Sequence, residues 1–180
     1  MALKANNNLP LNLNKTLFIP ILIGIILISG CKVSYSFTGA SISPLVKTIS
    51  IQYFQNRASL VQPRLSQFLT DALIDKCRAQ TNLQFTKEIG DVNFEGVITD
   101  YNTMPLTVGA DARAAMNRFT ISVSVKFTNV IEPDLSFEQT FSRYEDYDSN
   151  SNLSAVEDEL SNRIVELIIE DIFNRAFANW

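Results

Sequence analysis

Residues 46–180 are expected to fold as a two-layer α+β sandwich, a four-stranded, mostly antiparallel sheet with two helices on one face, in the order β-α-β-β-β-α. Three observations predict it. Four segments alternate apolar and polar side chains with the period of a half-buried strand. Two longer segments repeat their apolar residues with helical spacing. One face of the alternating segments is rich in Thr and Ser, so no third layer is needed to cover it.

The first strand is read over Val46–Phe54, VKTISIQYF, with Ile49, Ile51 and Tyr53 as its apolar face. Asn56 to Val61 reads as a loop, and Pro63 suits a first helical turn. Leu65, Phe68, Leu69, Ala72, Leu73, Lys76 and Cys77 then follow helical spacing, which places Cys77 on the apolar side as a small buried hydrophobe. Leu83 to Phe85 begins a strand that breaks at Glu88–Asp91 and resumes over Val92–Tyr101. Val92, Phe94 and Ile98 share a face with Gly96, a residue that marks a bulge or a close approach. Arg118–Val130 is the clearest strand, with Phe119, Ile121, Val123, Val125 and Phe127 inward. Glu132-Pro133-Asp134 turns the chain, and Leu135–Tyr144 returns with Phe137 and Phe141 inward. The last helix starts at Ser154 with Glu157 three residues on, the spacing of a capping box. Its apolar face is Leu160, Ile164, Leu167, Ile168, Ile172, Phe173, Ala176, Phe177 and Trp180.

Ahead of this domain lies an apolar run, Leu17–Cys31, that ends in Ile28-Ser29-Gly30-Cys31. An aliphatic residue and two small residues before a cysteine form a lipobox. The run has the length of a signal-peptide core and falls short of the roughly 20 apolar residues of a membrane span. The sequence therefore divides into a lipoprotein signal peptide, 1–30, a lipidated tether, 31–45, and the folded domain, 46–180. An uncleaved signal anchor is the competing reading. Lys32 after the cysteine, with no acidic run behind it, points to the outer membrane, facing the periplasm.

Removing the leader's Lys4 and Lys15 leaves thirteen basic residues against nineteen acidic ones, a net charge of −6. That balance excludes nucleic acid as a natural partner. There is no histidine, which removes the commonest general base and transition-metal ligand. With Cys31 acylated, Cys77 has no disulfide partner. No phosphate-binding glycine loop occurs, and no cofactor is expected. Glu145, Asp146 and Asp148 are the only carboxylate cluster that suggests hydrolysis, and they read more simply as solvated charge. Asp146, Asp148, Asn150 and Glu157 fall at four positions of a calcium-loop template, but Ser151 replaces its glycine. The long connection Asn102–Asn117 carries Arg113, and Arg118 follows it; an anionic head group would suit this pair, and a plain hairpin tip is the other reading.

The blocks VKTISIQYFQNRA, LVQPRLSQFLTDAL, FEGVITDY, NRFTISVSVKFTN, FEQTFSRYEDYD, SAVEDEL and EDIFNRAFANW together resemble the LptE family of lipopolysaccharide-assembly lipoproteins, and the chain is similar to a divergent branch of it. The likeness runs from about Ser36 to Trp180 and includes the lipobox. It implies a non-enzymatic lipoprotein of the outer membrane that sits as a plug inside the large LptD β-barrel. It also implies help in assembling that barrel and in carrying lipopolysaccharide to the cell surface. The alternative is a periplasmic binding module for a peptide or lipid unrelated to lipopolysaccharide.

Overall fold

The computed structural model of the chain describes residues 42–60, 62–106 and 116–178. All of them belong to the unit formed by residues 37–180. The lipobox with Cys31, the tether up to residue 41, Arg113 and Trp180 lie outside the described residues.

The elements are β1 (Thr48–Ile51), β2 (Gln55–Asn56), α1 (Leu65–Gln80), β3 (Gln84–Phe85), β4 (Val92–Leu106), β5 (Met116–Asn129), a 3-10 turn (Pro133–Leu135), β6 (Phe137–Asp148) and α2 (Leu153–Phe177). The class is α+β with two helices. The sheet differs from the expectation: it has six strands and is mixed, in the order β3-β1-β4-β5-β6 with β2 also on β4. β2 is two residues long, too short for alternation to reveal it; β3 falls in the expected Leu83–Phe85 segment, but it pairs with β1 as a separate strand and is not the start of β4. β1 pairs in parallel with β4 and β3, because α1 carries the chain back to the end from which β1 started. Only β4-β5-β6 is the antiparallel meander the sequence suggested.

β5 lies in the middle of that meander. Phe119, Ile121, Val123, Val125 and Phe127 are each no more than 1% exposed. α2 covers them, and its C-terminal turn locks in through Phe177, whose ring lies 5.9 Å from Phe94 and 5.7 Å from Phe127, edge-on to both. The helix buries Val165 and Ile169 along with Leu160, Ile164, Ile168, Ile172, Phe173 and Phe177; Ala176 is partly buried, and Leu167 is left 44% exposed. α2 is covered on two sides: Ile169 shares a cleft with Ala72, Lys76 and Ala79 of α1. A second contact rotates the buried stripe away from the one that spacing alone suggests. α1 shows the same shift: Leu65, Leu69, Leu73 and Cys77 are buried, and Phe68 is partly exposed.

The expected face of the first strand fails at Tyr53, which is exposed. Ile51 faces Phe94 and Gln55 faces Val97, so four steps on one strand match three on the other. The extra residue flips the parity. Phe54 swings inward, fully buried, and lies over Gly96. A Cβ on Gly96 would meet the Phe54 ring at 2.5 Å, so the glycine is required by close approach. A second irregularity, between Ile98 and Asp100, turns Tyr101 inward opposite Ile121.

Asp91 ties the chain together at the start of β4. Its Oδ2 accepts from the backbone N–H of Lys47 at 2.8 Å and of Thr48 at 2.9 Å. Its own N–H donates to Thr48 Oγ1 at 2.9 Å, and its carbonyl accepts from Val130 N–H at 2.8 Å. The two backbone donors on β1's approach hold the Asp91 carboxyl below its usual range.

The connection read as Asn102–Asn117 is shorter than expected. β4 runs through Leu106 and β5 starts at Met116, in register across Pro105 and Asn117, which leaves residues 107–115 outside the description. The last helix starts one residue earlier than expected. Its cap is Asn152, whose side chain accepts from Ser154 N–H at 3.2 Å, an equally good capping residue.

Gly96→Ala should cost about 1–3 kcal/mol by overpacking, measured as a lower urea midpoint. Joined to Phe54→Leu it should cost less than the two singles added, because the same contact is relieved. Asp91 has a folded pKa below its unfolded value near 3.9. Its contribution is therefore present above that value and is lost as pH falls through the folded pKa. The stability gap between wild type and Asp91→Asn should be open at neutral pH and close below about pH 4.

Candidate functional site

Among the described elements both helices lie on one face of the sheet and none covers the other. Its side chains come from the even residues of β5 and β6. Ser122 Oγ meets Ser142 Oγ at 2.9 Å, and Thr120 and Ser124 stand in register with Tyr144 and Thr140. Lys126 stands between Glu95 on β4 and Glu138 on β6.

Arg118 is the cation of this face held by a two-pronged carboxylate pair. Register puts it opposite Asp146. Its Nε donates to Oδ1 at 2.8 Å and its Nη2 to Oδ2 at 3.0 Å, a two-pronged pair. Its guanidinium also lies 3.6 Å from the Tyr144 ring centre. The Asp146 hydrogen bonds raise the Arg118 pKa, and Arg118 holds the Asp146 carboxyl below its usual range. Arg113, the expected companion of Arg118, falls in 107–115, outside the described residues.

Of the calcium-template residues, Asp146 and Glu157 bond groups outside the loop, while Asp148 and Asn150 bond each other. Asp146 holds Arg118. Asp148 accepts from its neighbour's Asn150 N–H at 2.8 Å in a local turn. Glu157 neither caps the helix nor faces that loop: it accepts from the Tyr101 hydroxyl, which raises the Tyr101 pKa further above the effect of burial. Among the described residues no group of three or more candidate ligands comes together. The carboxylate cluster is also divided. Glu145 and Asp146 are neighbours on a strand and point to opposite faces, Glu145 toward Arg163 at 3.6 Å and Asp146 toward Arg118. They do not form an acid/base pair across one site. Cys77 is buried and its thiol is pushed up to about 12, chiefly by desolvation, so it stays protonated at neutral pH.

Sequence reasoning missed two features. One is the bidentate pair of Arg143 Nε and Nη2 with Asp171, at 2.6 and 2.8 Å, which ties β6 to α2. The other is a cleft of about 580 Å³ where Tyr53 and Phe68, both assigned to the core by spacing, line an opening with Pro63, Asp71, Asp158 and Ser161. An apolar aromatic at helical spacing carries no mark that separates a cleft wall from a core residue.

No curated protein matches the chain by sequence. Lipoprotein B of Nitrosomonas europaea, solved by NMR, is 12% identical, with 78% of this chain and 86% of that one covered at a TM-score of 0.51. A hypothetical protein of Chlamydia trachomatis is 10% identical, covering 74% of this chain and 99% of its own at a TM-score of 0.50. A minor lipoprotein of Acinetobacter baumannii is 11% identical over 72% of this chain and 91% of its own, at a TM-score of 0.48. The first two share the fold. The profile of LptE, lipopolysaccharide-assembly, matches residues 46–176, from the approach to β1 to the last turn of α2. With the match spanning the whole described sandwich, the chain belongs to the LptE family.

Proposed function

We propose that this protein is a non-enzymatic lipoprotein, anchored through acyl chains on Cys31 to the periplasmic side of the outer membrane. There it plugs and helps assemble an LptD-type β-barrel and assists lipopolysaccharide transport to the cell surface. The carrying observation is the family match over residues 46–176. The open sheet face supports it: a wide barrel has a polar lumen, and a plug must present a polar surface to it. The Ser122–Ser142 contact and the Glu95–Lys126–Glu138 row give such a surface, solvated on one side and braced by the core on the other. Among the described residues no helix is long and apolar enough to cross a membrane; the proposed anchor rests on the lipobox at Cys31.

Domain boundaries follow the same reading: signal peptide 1–30, tether 31–45, plug domain 46–180. In this reading the protein acts by binding and placement, as a member of the family would. Arg113 and Arg118 are the proposed contacts to the phosphates of lipid A. Arg118 reaches such an anion by exchanging Asp146 for it.

Affinity purification of the tagged chain from detergent-solubilised envelope should recover a large β-barrel protein, and depletion should lower both surface lipopolysaccharide and the level of that barrel. Recovery of the lipoprotein alone, with both levels unchanged, would sink the proposal. Cys31→Ala should block both acylation and removal of the leader, so the variant should take up no radiolabelled fatty acid and should run larger than the wild type by the mass of residues 1–30. Asp146→Asn should raise lipid A binding by releasing Arg118, and Arg118→Ala should lower it, read by fluorescence displacement at fixed salt.

A further inference from the structure

β6 ends the strand order, and among the described residues nothing pairs with its outer edge. Its register with β5 runs from Phe137 to Asp148 without a bulge, and it contains no proline. An edge of this length is a template for another strand, and natural sheets guard such edges with bulges, prolines or charges aimed outward. Here three of the edge's charges are turned back onto the protein. Arg143 holds Asp171, Glu145 faces Arg163 and Asp146 holds Arg118.

The edge also has a wall. A groove of about 640 Å³ runs between five consecutive β6 residues, Gln139–Arg143, and Asp171, Asn174, Arg175 and Ala178 of α2. Leu167 lies on that helical stripe, one turn from both Arg163 and Asp171, and is exposed. A strand laid beside β6 would therefore meet Leu167 and Phe141 with its inward side chains. Its outward side chains would meet the even residues of β6. Those include Glu138, Asp146 and Asp148, with Glu138 sharing the single Lys126 with Glu95.

We propose that this edge takes up an extended segment of a partner polypeptide as an added strand. The segment is apolar on the side under α2 and basic on the open side. The alternative occupant is a second copy, and its charges oppose it. In an antiparallel two-fold pair both helix layers lie on one side of the joined sheet, so residues facing across the seam share parity. That leaves two registers along the full strand. The one centred on Ser142 sets Glu138 against Asp146, twice. The one centred on Arg143 sets Glu138 against Asp148, twice, and Arg143 against itself. Like charges directly opposite destabilise a pair. A basic guest strand relieves that repulsion, and the domain's acidic balance favours its approach.

The test uses the full lipoprotein in detergent, isotope-labelled, titrated with a synthetic peptide of about ten residues that alternates valine and lysine. A valine–aspartate peptide of equal length is the control. The lysine peptide should shift amide resonances and slow hydrogen exchange along residues 137–148 and the 163–178 stripe, and bind about tenfold tighter than the control. Equal binding by the two peptides, or changes that avoid β6, would overturn the proposal. Glu138→Lys, at an exposed position, should weaken the lysine peptide and turn a monomer into a dimer by light scattering, since the register centred on Ser142 then sets opposite charges against each other, twice. A wild type already dimeric through β6 would name the second copy as the occupant and end the proposal.

Discussion

The inward row of β5 has to be sealed, and the rest of the structure follows from that need. Five large apolar side chains on one strand face, none more than 1% exposed, take the full length of α2 to cover. At roughly 1.5–3 kcal/mol for each fully buried side chain of this size, their burial outweighs any single ion pair on the surface. α1 covers the β1 side and packs on α2 through Ile169 and Ala72. Both helices are then committed to one face. Among the described residues no element covers the other face, and it is polar in its own right: Ser122 and Ser142 meet each other and Arg118 is matched within the sheet.

The same crowding explains the irregular edge formed by β1 and β2. α1 crosses over from β1 to β4, so the two strands run parallel and β1 sits directly beside the meander. There the core needs an aromatic group over Gly96, and the single extra residue before Gln55 provides it by turning Phe54 inward. Asp91 closes the arrangement by accepting two β1-side amides while its carbonyl holds the amide that follows β5. A loop carboxylate thus sets how the parallel edge meets the antiparallel meander.

The class, both helices and the four longer strands were legible in the sequence because their periodicity extends over many residues. β5 is the clearest case: one uninterrupted parity over its length matches the burial row. What was not legible depends on partners far along the chain. Tyr53 was assigned inward because nothing local announces the extra residue, which is visible only against Phe94 and Val97. Leu167 was assigned to the core, and Val165 and Ile169 were not, because the second neighbour of α2 lies about ninety residues earlier. The capping box does not form: Asn152, two residues before Ser154, takes the cap, and Glu157 bonds Tyr101 instead of the helix start. Arg118 could be picked as a cation from the sequence, but its match with Asp146 is a fact of register, 28 residues away.

That register has a chemical consequence. Two arginines lie on the described strands, Arg118 and Arg143, and each faces a carboxylate in a two-pronged pair. An incoming phosphate therefore does not find an empty guanidinium; it must replace a carboxylate already in place. The net gain is the difference between two anions on one cation, together with the cost of releasing Asp146 to water. An exchange of this kind is weak and reversible, and salt screens it further at the half-exposed Arg118. For the lipopolysaccharide contact proposed above, such exchange would release the lipid faster than a deep cation pocket would, because tight binding slows dissociation. The acidic balance of the domain, which argues against firm capture of an anion, is consistent with brief contact along a surface whose charges are already paired.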